Sequence, residues 1–359
     1  MKNWGRKPFR FPAPGLSILR SSFFILHLNE VIYERLDACP VCGKTEFRNK
    51  LVVEDKSVSH ESFAIVQCTE CTFQFTNPRP DAAHIGRYYE SDEYVSHNSG
   101  AGGLLNQAYK VARFFTLRRK VGLLGELSGL KAGAAGQLLD YGCGTGHFLA
   151  AAQAAGWQVA GVEPNARARQ EASQRLSQPV GTGPLTDFAP ASFDAITLWH
   201  VLEHVHQLNE TLAQLTALLK PTGVLLIAVP NVESLDAQHY REHWAAYDVP
   251  RHLYHFAPKP MTKLLKKHQL KVRETLPMPL DAYYVSLLSE RYRAERGGGL
   301  LATLKAGYQS NRYAAQHEGQ YSSLLYVAGW RAPKPGSAAQ QKAGQPAAAV
   351  APTPKFSNS

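Results

Sequence analysis

An α/β fold, a mostly parallel sheet with helices on both faces, is what this sequence predicts, and three observations predict it. From Gln137 onward, short apolar runs alternate with helical segments: QLLDYG, a helix from about His147 to Ala155, WQVAGVEP, ARARQEASQRL, FDAITLWHVLE, HQLNETLAQLTALL and GVLLIAVPN. The runs are apolar on successive residues rather than alternate ones, which is the pattern of strands buried on both faces. Glycines at Gly142, Gly144 and Gly146 fall where the first of these runs gives way to a helix, the turn at which α/β sheets bind ligands. With 359 residues, 44% of them hydrophobic, the chain has enough apolar material for a large core and is excluded from the wholly disordered class.

The elements follow in chain order. Residues 1–37 read as a helical or ill-ordered leader. Its apolar stretch from Leu16 to Leu28 contains Arg20 and His27, too short and broken for a membrane span of about 18 apolar residues, and no small-residue cleavage site follows it as a signal peptide requires. Residues 38–95 carry four cysteines and then a stretch rich in proline and tyrosine. HNSGAGG, from His97 to Gly103, reads as a linker. Leu104 to Leu127 has helical spacing, and Arg118, Arg119 and Lys120 are expected on its solvated face. After the alternating region come a helix (Met261–Gln269), a strand (Leu270–Thr275), a helix (Ala282–Ala294) and a strand (Ser322–Trp330). Residues 332–359 are rich in Ala, Pro and Lys and low in large apolar residues, the composition of a disordered tail.

The glycine turn defines a ligand. Leu138–Leu149 reads LLDYGCGTGHFL, and Glu163 ends the next strand, 21 residues after Gly142, where a carboxylate accepts hydrogen bonds from ribose hydroxyls. A dinucleotide site wants GxGxxG facing pyrophosphate. Here the third glycine comes one position early and Asp140 precedes the loop, a carboxylate that repels phosphate and suits an ammonium. The ligand read from these residues is a ribose-bearing cation.

Together these residues resemble the class I S-adenosylmethionine-dependent methyltransferases, in the branch related to ubiquinone-biosynthesis methyltransferases. The resemblance spans about residues 104–331 and includes FDAITLWHVLEHV and LLKPTGVLLIAVPN. It implies a doubly wound, mostly parallel seven-stranded sheet whose last strand is antiparallel. It places Asp140, Tyr141, Gly142, Cys143 and Gly144 at the amino-acid part of S-adenosylmethionine, Glu163 and Pro164 at the ribose, and Asp187 and Phe188 at the adenine. Trp199, at the carboxyl end of the fourth strand, is expected against the cofactor, with simple packing as its alternative. Cys143 is explained by small size. Methyl transfer is an in-line displacement accelerated by positioning, and a hydroxyl or carbon acceptor must also lose a proton, for which histidine is suited near neutrality. His200 is the first candidate base, then His252 and His204; a structural role is the alternative for each.

Cys39-Pro-Val-Cys42 and Cys68-Thr-Glu-Cys71 are separated by 25 residues. Two CxxC knuckles complete tetrahedral S4 coordination of zinc, a closed and structural site, and such thiols imply a reducing compartment, with the cytoplasm as default. A zinc ribbon ahead of this domain is similar to two sets of relatives: small-molecule and sugar-modifying methyltransferases, and ribosomal-RNA methyltransferases that use the ribbon for RNA. A non-catalytic RNA-binding protein is the further alternative.

Charge favours the small-molecule set. The net charge is +10, but residues 38–257 hold 18 basic and 21 acidic residues, while 258–359 hold 15 and 5. The ribbon interleaves Lys44, Arg48, Lys50 and Lys56 with Glu46, Glu54, Asp55, Glu61 and Glu70, which is no phosphate-binding face. Residues 276–320 form an insertion with five tyrosines and an excess of bases, expected to cap the acceptor. An anionic small molecule suits them, such as a nucleotide-linked sugar or a polyprenyl-phosphate glycan; an amphipathic helix on a membrane is the competing idea.

Overall fold

The structure is a computed structural model that describes residues 32–89, 104–130, 134–293 and 299–331, without the side chains of 104–115 and 300. Most of the leader, residues 90–95 of the proline- and tyrosine-rich stretch, the whole linker from His97 to Gly103 and the tail lie outside the described residues.

The N-terminal part opens with β1 (Tyr33–Glu34), β2 (Phe47–Glu54), β3 (Ser62–Cys68), β4 (Gln74–Thr76) and β5 (Arg79–Pro80). β1 and β5 pair with each other, and β2, β3 and β4 form an antiparallel meander. Next comes α1 (Leu104–Ser128), then the alternating series β6 (Gln137–Tyr141), α2 (His147–Ala154), β7 (Gln158–Val162), α3 (Ala166–Leu176), β8 (Phe193–Trp199), α4 (Leu208–Leu218) and β9 (Leu219–Pro230). The C-terminal part contains α5 (Leu235–Tyr240), β10 (Tyr254–His255), α6 (Pro258–Lys267), β11 (Leu270–Pro277), α7 (Asp281–Arg293), α8 (Leu300–Gln316) and β12 (Ser323–Trp330).

The main sheet has the order β11-β12-β9-β8-β6-β7. β7, β6, β8 and β9 are parallel, and β12 runs antiparallel to both neighbours. Among the described residues it has six strands instead of the expected seven. A single parallel bridge from Val162 to Gly181 stands beyond β7, because 180–184 contains two glycines and Pro184, which supply no unbroken row of branched side chains for an edge strand.

Apolar side chains fill both faces of the sheet. Leu139, Ile196, Leu198, Leu225 and Ile227 look to one face with α4 and α6, and Leu138, Ala195, Leu226, Leu325 and Val327 to the other with α1, α2 and α3. The period-two division of consecutive residues is what continuous apolar runs achieve in a covered sheet.

The ribbon is joined to the methyltransferase-like part through a strand. β10 adds antiparallel to β4, Tyr254 opposite Phe75, so the meander continues as a four-stranded sheet with a segment that follows β9. Arg251 tightens the same join. It is 3% exposed and bonds Asp248, Asp55, Ser57 and the Tyr88 carbonyl. Asp55 itself caps the β2–β3 turn through the backbone amides of Ser57, Val58 and Ser59.

Candidate cofactor and acceptor site

The strand β6 delivers Asp140 to the glycine loop. Asp140 is 3% exposed and accepts a 2.6 Å hydrogen bond from Thr197 Oγ1 on the neighbouring strand β8. Burial pushes its carboxyl up to about 7, against the opposing pull of Thr197 and Lys120. Glycine is required at Gly142: φ is +76°, and a Cβ there would come within 2.5 Å of Val201 Cγ2. The amides of Gly142 and Cys143 both donate to the Val162 carbonyl, which ties the loop to the end of β7.

Glu163 completes that tie. One carboxylate oxygen accepts from the Gly144 amide at 2.8 Å and the other from Asn165 at 2.9 Å. Arg169 clamps the same turn through the Glu163 and Pro164 carbonyls, and Asn165 caps α3 through the Ala168 amide. Tyr141 is half-buried beside the loop. Cys143 is 8% exposed, and burial pushes its thiol up, the opposite of what a nucleophile needs. Asp187 is exposed at the end of a short helical turn, and the Phe188 ring meets Phe193 edge-on at 5.3 Å.

Trp199 ends β8 between two partners. The Phe148 ring lies edge-on at 5.4 Å, and Lys120 Nζ stands 4.0 Å above the indole. The indole Nε1 is buried without a hydrogen-bond partner, a donor still to be met. Lys120 thus departs from its neighbours: Arg118 and Arg119 are exposed as expected, whereas Lys120 turns inward toward Asp140 and Asp281.

The residues after β8 hold the histidines. His200 has φ +56°, a strained backbone for a non-glycine residue. Its Nδ1 faces Glu203 at 3.5 Å and its Nε2 faces Asp281, the first residue of α7, at 3.0 Å. Burial alone would lower its pKa, but the Asp281 and Glu203 carboxylates outweigh it and push His200 up to about 9. The role of base expected for His200 does not fit this geometry: both ring nitrogens are turned to carboxylates, and the imidazolium has no lone pair to offer. His204 and His252 lie together, ring centroids 4.5 Å apart. Burial and then His252 push His204 down to about 4. Tyr89 of the N-terminal part reaches His204 Nδ1 at 3.0 Å, so the ribbon's extension helps build the histidine cluster.

Lys120, Asp281, Thr197 and Tyr89 were not singled out from the sequence as site residues. Asp281 arrives from beyond β11, and nothing in its local sequence marks it; Lys120 stands in a basic triplet that reads as solvated.

At the ribbon, Cys39 Sγ and Cys71 Sγ are 3.5 Å apart, as are Cys42 and Cys68, and the four sulfurs lie within 4.8 Å of one another. Four thiolates about 2.3 Å from one ion sit about 3.8 Å from each other, so the set fits tetrahedral zinc. Each knuckle closes with the same turn, Gly43 N to Cys39 O at 2.8 Å and Thr72 N to Cys68 O at 3.0 Å, with Gly43 and Thr72 both at positive φ.

Residues 110–275 match the family model described as a methyltransferase domain. With the sheet order, the glycine loop and its two carboxylates, the chain carries a class I S-adenosylmethionine-dependent methyltransferase domain, preceded by a four-cysteine ribbon.

Among curated proteins it is similar to ubiquinone biosynthesis O-methyltransferases of Rhodopseudomonas palustris. Strain BisB5 gives 32% identity over 111 residues, 29% of this chain and 42% of the relative, and strain BisA53 gives 29% over 114 residues, 30% and 43%. The matches thus span less than half the length of these relatives. Among solved structures, a geranyl diphosphate methyltransferase in complex with S-adenosylmethionine matches with TM-score 0.46 and 16% identity, covering 65% of this chain and 93% of that one. Magnesium protoporphyrin IX methyltransferase from Synechocystis PCC 6803 matches with TM-score 0.45 and 16% identity, covering 69% and 99%.

Proposed function

We propose that the protein transfers a methyl group from S-adenosylmethionine to a small-molecule acceptor. The observation that carries this reading is the pair of buried carboxylates, Asp140 and Glu163, set on either side of a glycine loop at the carboxyl end of a parallel sheet. S-adenosylmethionine supplies, when bound, an electrophilic methyl on a positively charged sulfur. In this reading Asp140 and the Tyr141–Gly144 backbone hold the amino-acid part, Glu163 and the Pro164 turn the ribose, Asp187 and Phe188 the adenine, and Trp199 offers its orphaned Nε1–H and ring beside them. Gln137–Gly146 and Glu163 position the ligand; they perform no bond chemistry themselves, since an in-line displacement gains chiefly from orientation and exclusion of water.

On the acceptor side, His204 and His252 are the groups with basic nitrogens available. Asp281 and Glu203 hold His200 as a cation that braces the turn and links it to α7. The expected cap is a helix pair, α7 against α8, but its bases Arg291, Arg293, Lys305 and Arg312 are exposed, so the acceptor's charge is not part of the proposal. Two bases of the N-terminal part pair with acids, Lys56 with Glu54 and Arg87 with Glu61, and the others are interleaved with acids along the chain, which favours a small acceptor over RNA. Among the described residues no helix is long and apolar enough to cross a membrane; a reducing, cytoplasmic setting suits the free thiols. The test is incubation of the protein and isotopically labelled S-adenosylmethionine with metabolite extracts. A labelled product one methyl heavier supports the reading, and label found only in RNA overturns the choice of acceptor class.

A further inference from the structure

A cavity of about 350 Å3 lies where the end of β9, the start of α6, the end of β11 and the turn from α8 into β12 come together. Its size is that of a small-molecule site. None of its walls comes from the glycine loop, Glu163 or the His200 turn, so it is separate from the site already described. Asn231, 1% exposed, ties these walls together. Its Nδ2 donates to Gln320 Oε1 at 2.8 Å and to the Tyr321 carbonyl at 3.1 Å, and its Oδ1 accepts from the Glu233 amide. A parallel bridge from Asn231 to Phe256 fixes the segment that leads into α6. Walls held in this way before a ligand arrives reduce the ordering that binding must impose.

The cavity presents two carboxylates, Glu233 and Glu318, and one ammonium, Lys259, beside the apolar surface of Tyr321, Pro277 and Leu324. Among the described residues none of the three charged groups enters an ion pair, and Glu233 Oε2 meets the Gln320 amide only at 3.5 Å, the limit of reach. Half-buried carboxylates without a cation favour a ligand that brings one. An anion finds little here. The first turn of α6 opens on the cavity, but Pro258 and Pro260 remove two of the amides that a helix start would offer, and two carboxylates repel a like charge.

We infer that this cavity is a second ligand site, for a free basic amino acid of the arginine kind. The ligand's ammonium and guanidinium meet Glu233 and Glu318, its carboxylate meets Lys259, and its methylene chain lies against Tyr321, Pro277 and Leu324. Two positive charges and one negative on the ligand answer two negative and one positive on the walls, so the filled site is neutral. A guanidinium suits such walls because its planar fork makes paired hydrogen bonds to a carboxylate and stacks on a tyrosine ring.

The test is calorimetric titration of the full chain with L-arginine, with L-citrulline as the probe that keeps the shape and lacks the guanidinium charge, and L-glutamate as the probe of opposite charge. Saturable binding of arginine at one site is expected, with citrulline weaker by about fivefold or more and no binding of glutamate. Glu233→Gln and Glu318→Gln keep the shape of the side chain and should each weaken arginine binding by about fivefold. Thr275→Trp fills the cavity from an exposed position on β11 and should abolish binding, with circular dichroism and the thermal midpoint showing an intact fold. Absence of saturable arginine binding overturns the inference, as does binding that survives Thr275→Trp, is indifferent to both glutamine variants or is matched by citrulline. No readout depends on S-adenosylmethionine, so failure here leaves the methyltransferase reading standing.

Discussion

Replacing Asp140 by Asn should make the protein more stable and bind its cofactor worse, and the two effects should share one pH dependence. In the free protein burial raises the Asp140 carboxyl from the ordinary 3.8 to about 7. The folded state therefore holds a proton that the unfolded chain has lost between those values, and stability falls as pH rises from about 4 to about 7. At 1.36 kcal/mol per pH unit the ionised side chain costs the free fold up to about 4 kcal/mol at pH 8. Asn keeps the acceptor for Thr197 Oγ1 and removes the charge. In urea unfolding at pH 8, Asp140→Asn should thus exceed the wild type by about 2–4 kcal/mol, with the advantage vanishing near pH 4. On the proposed reading cofactor binding runs the other way, since the ammonium would pair with the ionised form. Wild-type affinity for S-adenosylmethionine should be flat above about pH 7.5 and drop about tenfold per unit below pH 6.5. Loss of a desolvated charge pair costs about 2 kcal/mol or more, so Asp140→Asn should bind at least about 30-fold more weakly at pH 8. A variant that binds as tightly as the wild type, or a stability difference that ignores pH, refutes the reasoning.

Further outcomes follow from the same geometry. Gly142→Ala should lower stability by about 1–3 kcal/mol, and Val201→Ala in the same chain should recover part of it; no recovery in urea midpoints means that the Val201 contact is not the cause. His200→Ala should cut turnover while S-adenosylmethionine affinity stays within about twofold, and unchanged turnover removes His200 from the acceptor side. Arg251→Met strands two carboxylates and should cost about 3 kcal/mol or more, read from denaturant unfolding, with a smaller loss when Asp55→Asn accompanies it. Removal of the cysteine-bound zinc should abolish turnover before cofactor binding, because β4 pairs with β10 and Tyr89 touches His204; loss of both together in a zinc titration counts against that order.

How much of this the sequence disclosed depended on whether the relevant partners were local. Gly142, Gly144, Asp140 and Glu163 lie on two consecutive strand ends, and their spacing alone places them at one turn. The CxxC pairs work in the same way, since each knuckle is four residues long and dictates its own geometry. The alternation after Gln137 foretold the parallel strands β6 to β9. It did not foretell that the next edge would shrink to one bridge at Gly181, where glycine and proline replace branched residues. What stayed hidden was contact at long range. His200 is a plausible base by its place after β8, and only the arrival of Asp281 from α7 turns it into a braced cation. His204 and His252 are 48 residues apart, and their meeting depends on β10 joining the ribbon's sheet, a pairing that a two-residue strand cannot advertise. Lys120 shares the polar look of Arg118 and Arg119, but its helical angle carries it inward to Trp199.

The central claim is that the glycine loop with Asp140 and Glu163 holds a ribose-bearing cation rather than a nucleotide phosphate. Calorimetric titration of the full chain with S-adenosylmethionine, and separately with NAD+, tests it directly. The account predicts saturable binding of S-adenosylmethionine at one site, weakened in both Asp140→Asn and Glu163→Gln, and no binding of NAD+. Binding of NAD+ with none of S-adenosylmethionine contradicts it.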